Sequence, residues 1–262
     1  MTIISLLTDF GTEDPFVGIM KGVILGIAPD VQIVDLTHSV PPQDVRLGAL
    51  MLSSAVEYFA PGTIHVAVVD PGVGSQRRAI VIETPKALLI GPDNGLLFPA
   101  ARKLGISSIR SLENPALFCQ PLSRTFHGRD VFAPVAAHLA RGVALQNVGS
   151  AFTHCESLDL PEPRRSDTSI EGEVLYVDGF GNLITNIPGA LLSNFPALDL
   201  SVSIVGMQIV GLSNSYSAVA AGAPLAIVSS SDLLEIAVRD GNAGQQLGAG
   251  VGVAVTVSVP RR

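Results

Sequence analysis

From Ile3 to about Leu145, apolar stretches suited to buried strands alternate with stretches of helical character. No other feature of the chain restricts its fold as tightly. Ile3–Leu7 reads as a strand, Phe16–Ala28 as a helix, Gln32–Leu36 as a strand, Asp44–Phe59 as a helix and Thr63–Val69 as a strand. Strands that return to their sheet through helices run side by side in one direction, so the pattern implies a mostly parallel α/β sheet. Pro41-Pro42 and Asp44 mark the start of the second helix and Pro61-Gly62 its end, which follows the usual asymmetry of helix punctuation. Arg78–Glu83 and Ala87–Ile90 then read as strands flanking Thr84-Pro85-Lys86, and Arg129–Arg141 as the last clear helix.

Between Leu158 and Ser169 the chain turns polar and proline-rich, the composition of an exposed linker, and the domain boundary is expected there. Beyond it lie short β-rich segments, Ile170–Asp178, Leu198–Val205, Leu225–Val228, Leu233–Val238 and Val251–Val259, separated by Gly and Ser. A small β-barrel or a sandwich fits them. The chain contains neither a repeat array nor a low-complexity tract.

With 262 residues, 47% of them hydrophobic, the chain has material for one large core or for a large and a small one. A net charge of -7 with only 15% charged residues argues against a nucleic-acid or anionic-membrane surface, since both need clustered Lys and Arg. A small-molecule substrate fits better. Mean hydropathy is high, at +0.45, yet Gly, Pro, Asp or Ser interrupts each apolar run before the roughly 18 residues of a membrane span. Met1-Thr2-Ile3-Ile4-Ser5-Leu6-Leu7 reads as a first strand rather than a signal peptide. A soluble, cytoplasmic protein is expected. Cys119 and Cys155 form no Cys-x-x-Cys pair and read as small apolar fillers rather than as a disulfide, a zinc ribbon or a catalytic thiol.

Three loops carry chemistry. Val69-Asp70-Pro71-Gly72-Val73-Gly74-Ser75-Gln76-Arg77 brings a carboxylate and a guanidinium out of the end of an apolar strand, on a turn small enough for backbone N–H groups to approach a ligand. Thr8-Asp9-Phe10-Gly11 ends the first strand on an acid, and Phe126-His127-Gly128-Arg129-Asp130 places an imidazole ahead of a helix. Ligands of open α/β sheets bind beyond the carboxyl ends of the strands, so Asp9 and Asp70 are expected to face one crevice. No Gly-x-Gly-x-x-Gly and no Gly-x-x-x-x-Gly-Lys-Ser/Thr is present, which argues against kinases and dinucleotide oxidoreductases. Asp35, His38, His65, Asp70 and His127 lack metal-ligand spacing; His65, inside an apolar strand, suits a satisfied core histidine, and Asp35 and His38, at another strand end, suit structural capping and support as well as they suit direct catalysis. Asp178 to Asn186 reads, from composition, as a β-turn, and Ser229-Ser230-Ser231-Asp232 as a loop.

Taken together, Thr8-Asp9-Phe10-Gly11, Asp35-Leu36-Thr37-His38, Val69 to Gly74, Gly91-Pro92-Asp93-Asn94-Gly95, Phe126 to Asp130 and Asp178 to Asn186 resemble the S-adenosylmethionine hydroxide adenosyltransferase family. That family comprises S-adenosylmethionine hydrolases related to fluorinases and chlorinases. The resemblance implies an N-terminal α/β domain over residues 1–160, a C-terminal β-barrel-like domain over 168–262, and a homotrimer with sites between subunits. It assigns a catalytic triad to Asp70, Arg77 and His127. By the same resemblance Asp9 binds the ribose hydroxyls, Phe180 and Tyr216 contact adenine, Asn182 hydrogen-bonds it, and Asp178 and Ser230 hold the methionine amine and carboxylate. Halogenating relatives carry tyrosine at the Asp70 position, tyrosine-serine at His127-Gly128 and a tryptophan at Gln43. Asp232 and Arg239 depart from a usual glycine and a common asparagine.

The resemblance implies a metal-independent, cofactor-free hydrolysis of S-adenosylmethionine to adenosine and L-methionine rather than carbon–halogen bond formation, and the chemistry is consistent with the residues present. Sulfonium leaves as a neutral thioether, so the reaction needs no general acid, only an in-line, poorly solvated oxygen nucleophile at C5′. His127 is the natural proton acceptor, and a preformed hydroxide held by Arg77 is the other possibility, because arginine itself is a poor base. The alternative function is an adenosine- or S-adenosylmethionine-binding sensor with negligible turnover. The intact trio favours the enzyme.

Overall fold

Every residue of Thr63–Val68 is buried, as befits a strand covered on both faces and therefore lacking alternation. The computed structural model describes residues 1–193 and 195–258. Its contacts divide the chain into two units, Met1–Asp159 and Leu160–Arg262. The first unit runs β1 (Ile3–Thr8), α1 (Phe16–Ile27), β2 (Gln32–Thr37), α2 (Val45–Ala55), β3 (Thr63–Val68), β4 (Ala79–Glu83), β5 (Ala87–Pro92), α3 (Phe98–Leu104), β6 (Ser108–Ser111), α4 (Ala133–Ala140) and β7 (Ala151–Phe152). Its strands form one sheet in the order β2-β1-β3-β5-β4-β6-β7.

The strands β2, β1, β3 and β5 pair in parallel, whereas β4 pairs antiparallel with both β5 and β6, and β7 with β6. The three residues Thr84-Pro85-Lys86 between β4 and β5 are too few for a crossover, so this part of the sheet reverses direction. Met20 and Ile24 of α1 join Val135 and Ala136 of α4 on one face. Ala49 and Leu52 of α2 join Ala100 and Ala101 of α3 on the other. Asp44 caps α2 by accepting the Leu47 N–H at 2.9 Å. Gly48 allows that helix to sit low on the sheet, since a Cβ there would lie 3.0 Å from Leu96 and 3.1 Å from Val69.

Two helices differ from expectation in their ends. The second stops at Ala55 and tightens into a 3₁₀ turn over Val56–Tyr58. The helix expected over Arg129–Arg141 begins as one wide turn, Gly128–Phe132, closed by the Ala133 N–H on the Gly128 carbonyl, and continues as α4. A wide turn of this kind re-aims the residues at its start, and His127 stands directly before it. The helix α3 and the strand β6 were not anticipated from the pattern.

The second unit contains β8 (Arg164–Arg165), β9 (Ser169–Val177), β10 (Leu183–Pro188), α5 (Gly189–Leu192), β11 (Ser201–Ile204), β12 (Met207–Val210), β13 (Pro224–Val228), β14 (Leu233–Val238), α6 (Ala243–Leu247) and β15 (Ala254–Ser258). Its antiparallel sheet has the order β12-β11-β15-β9-β10-β14-β13, with β8 paired to β9. The edge strands β12 and β13 approach one another, so the sheet is a nearly closed barrel around Ile170, Val174, Leu183, Leu234, Ile236 and Val255. The linker thus includes a short strand. Of the strand expected over Val251–Val259, Ala254–Ser258 forms, and Val259 lies outside the described residues.

Candidate active site

The strands β1 and β3 are neighbours, with Thr8 opposite Val68, so Asp9 and Asp70 emerge at one level from the carboxyl end of the sheet. Both line a cavity of about 400 Å³ that also includes Gln43, Phe126 and His127. The expectation that the two acids face one crevice holds. Asp9 is oriented from its far side: its Oδ2 accepts the Gln43 N–H at 2.8 Å. Gln43 is left-handed, with φ 67°, a conformation that costs most side chains about 1 kcal/mol and here aims its amide at the carboxylate.

Asp70, Arg77 and His127 are joined in a chain. The Arg77 Nε lies 2.9 and 3.1 Å from the Asp70 oxygens, and Nη2 lies 2.5 Å from Oδ2. The same Nη2 meets His127 Nδ1 at 2.8 Å. A guanidinium can only donate, so Nδ1 is an acceptor and the neutral ring carries its proton on Nε2. Burial, and next the charge of Arg77, hold the imidazole below its ordinary value of 6.5, against the opposing pull of Asp70 and Asp130. Asp70 and His127 form part of the cavity wall, whereas Arg77 is absent from it. The arginine is 11% exposed, bridges the other two, and has its Cζ 5.5 Å from the centre of the Phe132 ring.

The Asp70 loop is also held by its own backbone. Val73 N–H goes to the Asp70 carbonyl, Ser75 N–H to Gly72 and Arg77 N–H to Ser75 Oγ, so these amides stabilise the turn itself. Gly74 has φ 76°, and a Cβ there would lie 2.3 Å from the Arg124 carbonyl oxygen. It therefore lets the segment leading to His127 pack against the loop. Asn94, from the Gly91 to Gly95 motif, donates its side-chain N–H to the Val69 carbonyl at 2.9 Å and so secures the residue before Asp70.

Phe10, Phe16 and Phe126 meet edge to face, with ring centres 5.2 to 5.9 Å apart, and all three line the cavity. Nothing local in the sequence marks this aromatic wall, because its members come from three separate segments and phenylalanine is ordinarily core. Gly128 sits against it: a Cβ would lie 3.1 Å from Met20 Sδ, 3.2 Å from Phe126 and 3.4 Å from Phe10.

The other histidines are dispersed. His65 is buried, bonds Ser5 Oγ through Nδ1 at 2.6 Å, and is pushed down to about 4 by burial. His38 bonds Thr8 Oγ1 at 2.9 Å and lies 3.1 Å from Asp35, whose other oxygen takes Lys21 Nζ at 2.6 Å. Among the described residues no three His, Cys, Asp or Glu side chains converge on a point. Both cysteines are free, and burial raises both thiols above their ordinary value, the reverse of an activated nucleophile.

In the second unit, Asp178 closes the turn between β9 and β10. Its Oδ1 accepts the N–H groups of Phe180 and Asn182 at 2.9 Å each, and its Oδ2 accepts Asn182 Nδ2 at 3.0 Å. Phe180 at the tip is 82% exposed and Tyr216 is 47% exposed. The Tyr216 hydroxyl donates to Glu235 Oε1 at 2.8 Å. Ser230 lies in the exposed turn between β13 and β14. In that turn Asp232 has φ 59°, which gives the physical reason for glycine at this position in the family pattern. Arg239 donates Nη1 to the Val219 carbonyl at 2.7 Å. No local pattern marks Glu235, and the motif that contains Asn94 and the position of Gln43 carry no sign of the contacts these two residues make.

An acid–guanidinium–imidazole chain beside an acidic cavity at the carboxyl end of an α/β sheet, with a β-barrel unit following, defines an enzyme class that comparison with known proteins identifies. The chain belongs to the S-adenosylmethionine (SAM) hydroxide adenosyltransferase family: residues 4–149 match its N-terminal domain and 172–256 its C-terminal domain. It is 42% identical over 247 residues to the (R)-S-adenosyl-L-methionine hydrolase of Salinispora arenicola, covering 93% of each chain. It is 30% identical over 212 residues to a fluorinase of Actinoplanes, covering 71% of each. The crystal structure of an uncharacterized conserved protein from Thermotoga maritima superposes with a TM-score of 0.91 at 38% identity, covering 97% of this chain and 99% of that one.

Proposed function

We propose that this enzyme hydrolyses S-adenosyl-L-methionine to adenosine and L-methionine by in-line attack of a water-derived oxygen on C5′. The observation that carries the mechanism is the bridge from Arg77 to the lone pair of a neutral His127. When substrate is bound the 2.8 Å contact between Nη2 and Nδ1 opens, and a water takes its place, accepting from the guanidinium and donating to the imidazole. The imidazole removes its proton as the oxygen–C5′ bond forms, and the C5′–sulfur bond breaks with its electron pair on sulfur. Asp70 holds Arg77 in the plane that makes this possible. Methionine leaves as a neutral thioether, so the site needs no acid, metal or cofactor.

Asp9 takes the ribose hydroxyls, with the Gln43 amide occupying one of its oxygens. Phe180 and Tyr216 offer aromatic faces to adenine, Asn182 hydrogen-bonds it, and Asp178 and Ser230 hold the methionine amine and carboxylate. The exposure of Phe180 and Tyr216 supports a surface that a ligand covers. We place these two residue sets together between the subunits of a homotrimer, and the reaction in the cytoplasm, where free thiols such as Cys119 and Cys155 persist. No described helix is long and apolar enough to cross a membrane.

The test is a single-turnover reaction in ¹⁸O-water with chelator present, each sulfonium epimer being offered separately because the relatives' name specifies (R). Adenosine labelled at its 5′-hydroxyl is expected. Tight binding without adenosine would instead support the sensor. Activity should also fall on dilution as the trimer dissociates; a fully active monomer would remove the shared site.

A further inference from the structure

The strand β14 and the residue after it present two side chains that the hydrolysis does not use. Glu235 is 3% exposed, and its Oε1 accepts the Tyr216 hydroxyl at 2.8 Å. Arg239 donates Nη1 to the Val219 carbonyl at 2.7 Å and to that of Ser217 at 3.4 Å. Its backbone adds two bonds to the same segment, Arg239 N–H to Ala223 and Gly222 N–H to the Arg239 carbonyl. Tyr216 itself lies in a single 3₁₀ turn, Tyr216–Ala218, too short to hold a half-exposed ring by its own hydrogen bonds. The ring is thus fastened at its hydroxyl tip by one residue, and its backbone by another four positions along.

We propose that Glu235 and Arg239 are positioning residues that clamp Tyr216 as a face for the adenine ring, so that affinity at the base end depends on two side chains that do not touch substrate. The inference rests on the reading of Tyr216 as an adenine contact. An aromatic ring that is already immobile loses little freedom when a base stacks on it, whereas a loose one must be ordered at the moment of binding. A buried carboxylate is a strong acceptor for the hydroxyl, and Tyr216 is correspondingly reluctant to ionise, its phenol being pushed up to about 12 by burial and then by Glu235.

The experiment measures KM, kcat and the adenosine Kd for wild type, Glu235→Leu, Glu235→Gln, Tyr216→Phe and the double variant Tyr216→Phe/Glu235→Leu. Glu235→Leu should raise KM and the adenosine Kd roughly tenfold, about 1.4 kcal/mol, with kcat little changed. Glu235→Gln should restore both, because its amide oxygen still accepts the hydroxyl. Tyr216→Phe should match Glu235→Leu, and the double variant should be no worse than either. Arg239→Met should raise both constants severalfold. Unchanged constants in Glu235→Leu and Tyr216→Phe, or effects that add in the double variant, would overturn the clamp. If Glu235→Leu fails to fold, Tyr216→Phe against Glu235→Gln decides the question. Wild type that binds adenosine but yields none from S-adenosylmethionine would count against hydrolysis, while the adenosine Kd still tests the clamp.

Discussion

Replacing Asp70 by asparagine separates a buried, coupled ion pair from an incidental one. The Asp70 side chain is 4% exposed and that of Arg77 11%, so water screens neither. Removing one partner of such a pair costs about 3–5 kcal/mol, because the other charge stays buried. The asparagine oxygen still accepts one N–H, and a hydrogen bond to a charged group returns about 1.5 kcal/mol. The amide NH₂ then faces a guanidinium N–H, donor against donor. A net loss of about 2–3 kcal/mol is expected, read from equilibrium urea unfolding. Turnover should fall by roughly a hundredfold as Arg77 loses its orientation beneath His127. The double variant Asp70→Asn/Arg77→Met leaves no buried charge and should be more stable than the single variant, though no more active. A single variant that loses under 1 kcal/mol, or a double variant that loses the sum of the two singles, would refute the coupling.

Four further outcomes follow from the same geometry. The base form of His127 is needed and its proton is disfavoured by burial and Arg77, so kcat/KM should fall to half of its plateau only below pH 6.5; a half-fall at higher pH in the pH–rate profile contradicts this. His127→Ala should lower kcat at least a hundredfold with KM nearly unchanged, whereas Asp9→Ala should mainly raise KM; near-normal turnover in His127→Ala with collapse in Arg77→Lys would transfer the role to an Arg77-held hydroxide. Gly74→Ala, with φ 76° and a Cβ 2.3 Å from the Arg124 carbonyl, should destabilise by about 2–4 kcal/mol, against about 1 kcal/mol for Gly62→Ala, where no neighbour lies within 4 Å; equal losses in thermal melts would show that the Gly74 contact is soft. Fluoride or chloride should give no 5′-halogenated adenosine, since Gln43 and Gly128 stand where halogenating relatives carry larger groups; chromatographic detection at the rate of adenosine formation would place the chain on the wrong branch.

Much of the first unit was legible because its periodicities are strong. The strand β3 is apolar apart from Thr63 and His65, and Asp44 behind Pro41-Pro42 caps α2 as a cap residue should. The reversal of β4 was also readable in principle from the three residues between it and β5, but an apolar run does not show which way it runs. Of the turn read over Asp178 to Asn186, the structure keeps Asp178 to Asn182, where both oxygens of Asp178 serve the turn, whereas Leu183 to Asn186 belong to β10. Sequence alone could not weigh that against ligand binding, since one carboxylate can close a turn and still face a ligand.

The alternation that makes an α/β sheet, the acids at strand ends, the Gly and Pro punctuation and, through the order of the motifs, the family can all be read from the residues in order. These depend on neighbours within a turn or two, or on the identity of residues. Packing alone brings Arg77 to the Nδ1 of His127, 50 positions away, the backbone N–H of Gln43 to Asp9, 34 positions away, and Glu235 to the Tyr216 hydroxyl. Such contacts are set by how helices and strands pack, to within a fraction of an ångström. A string of residues carries the chemistry of each partner, whereas the choice of partner, nitrogen and tautomer belongs to the packed chain.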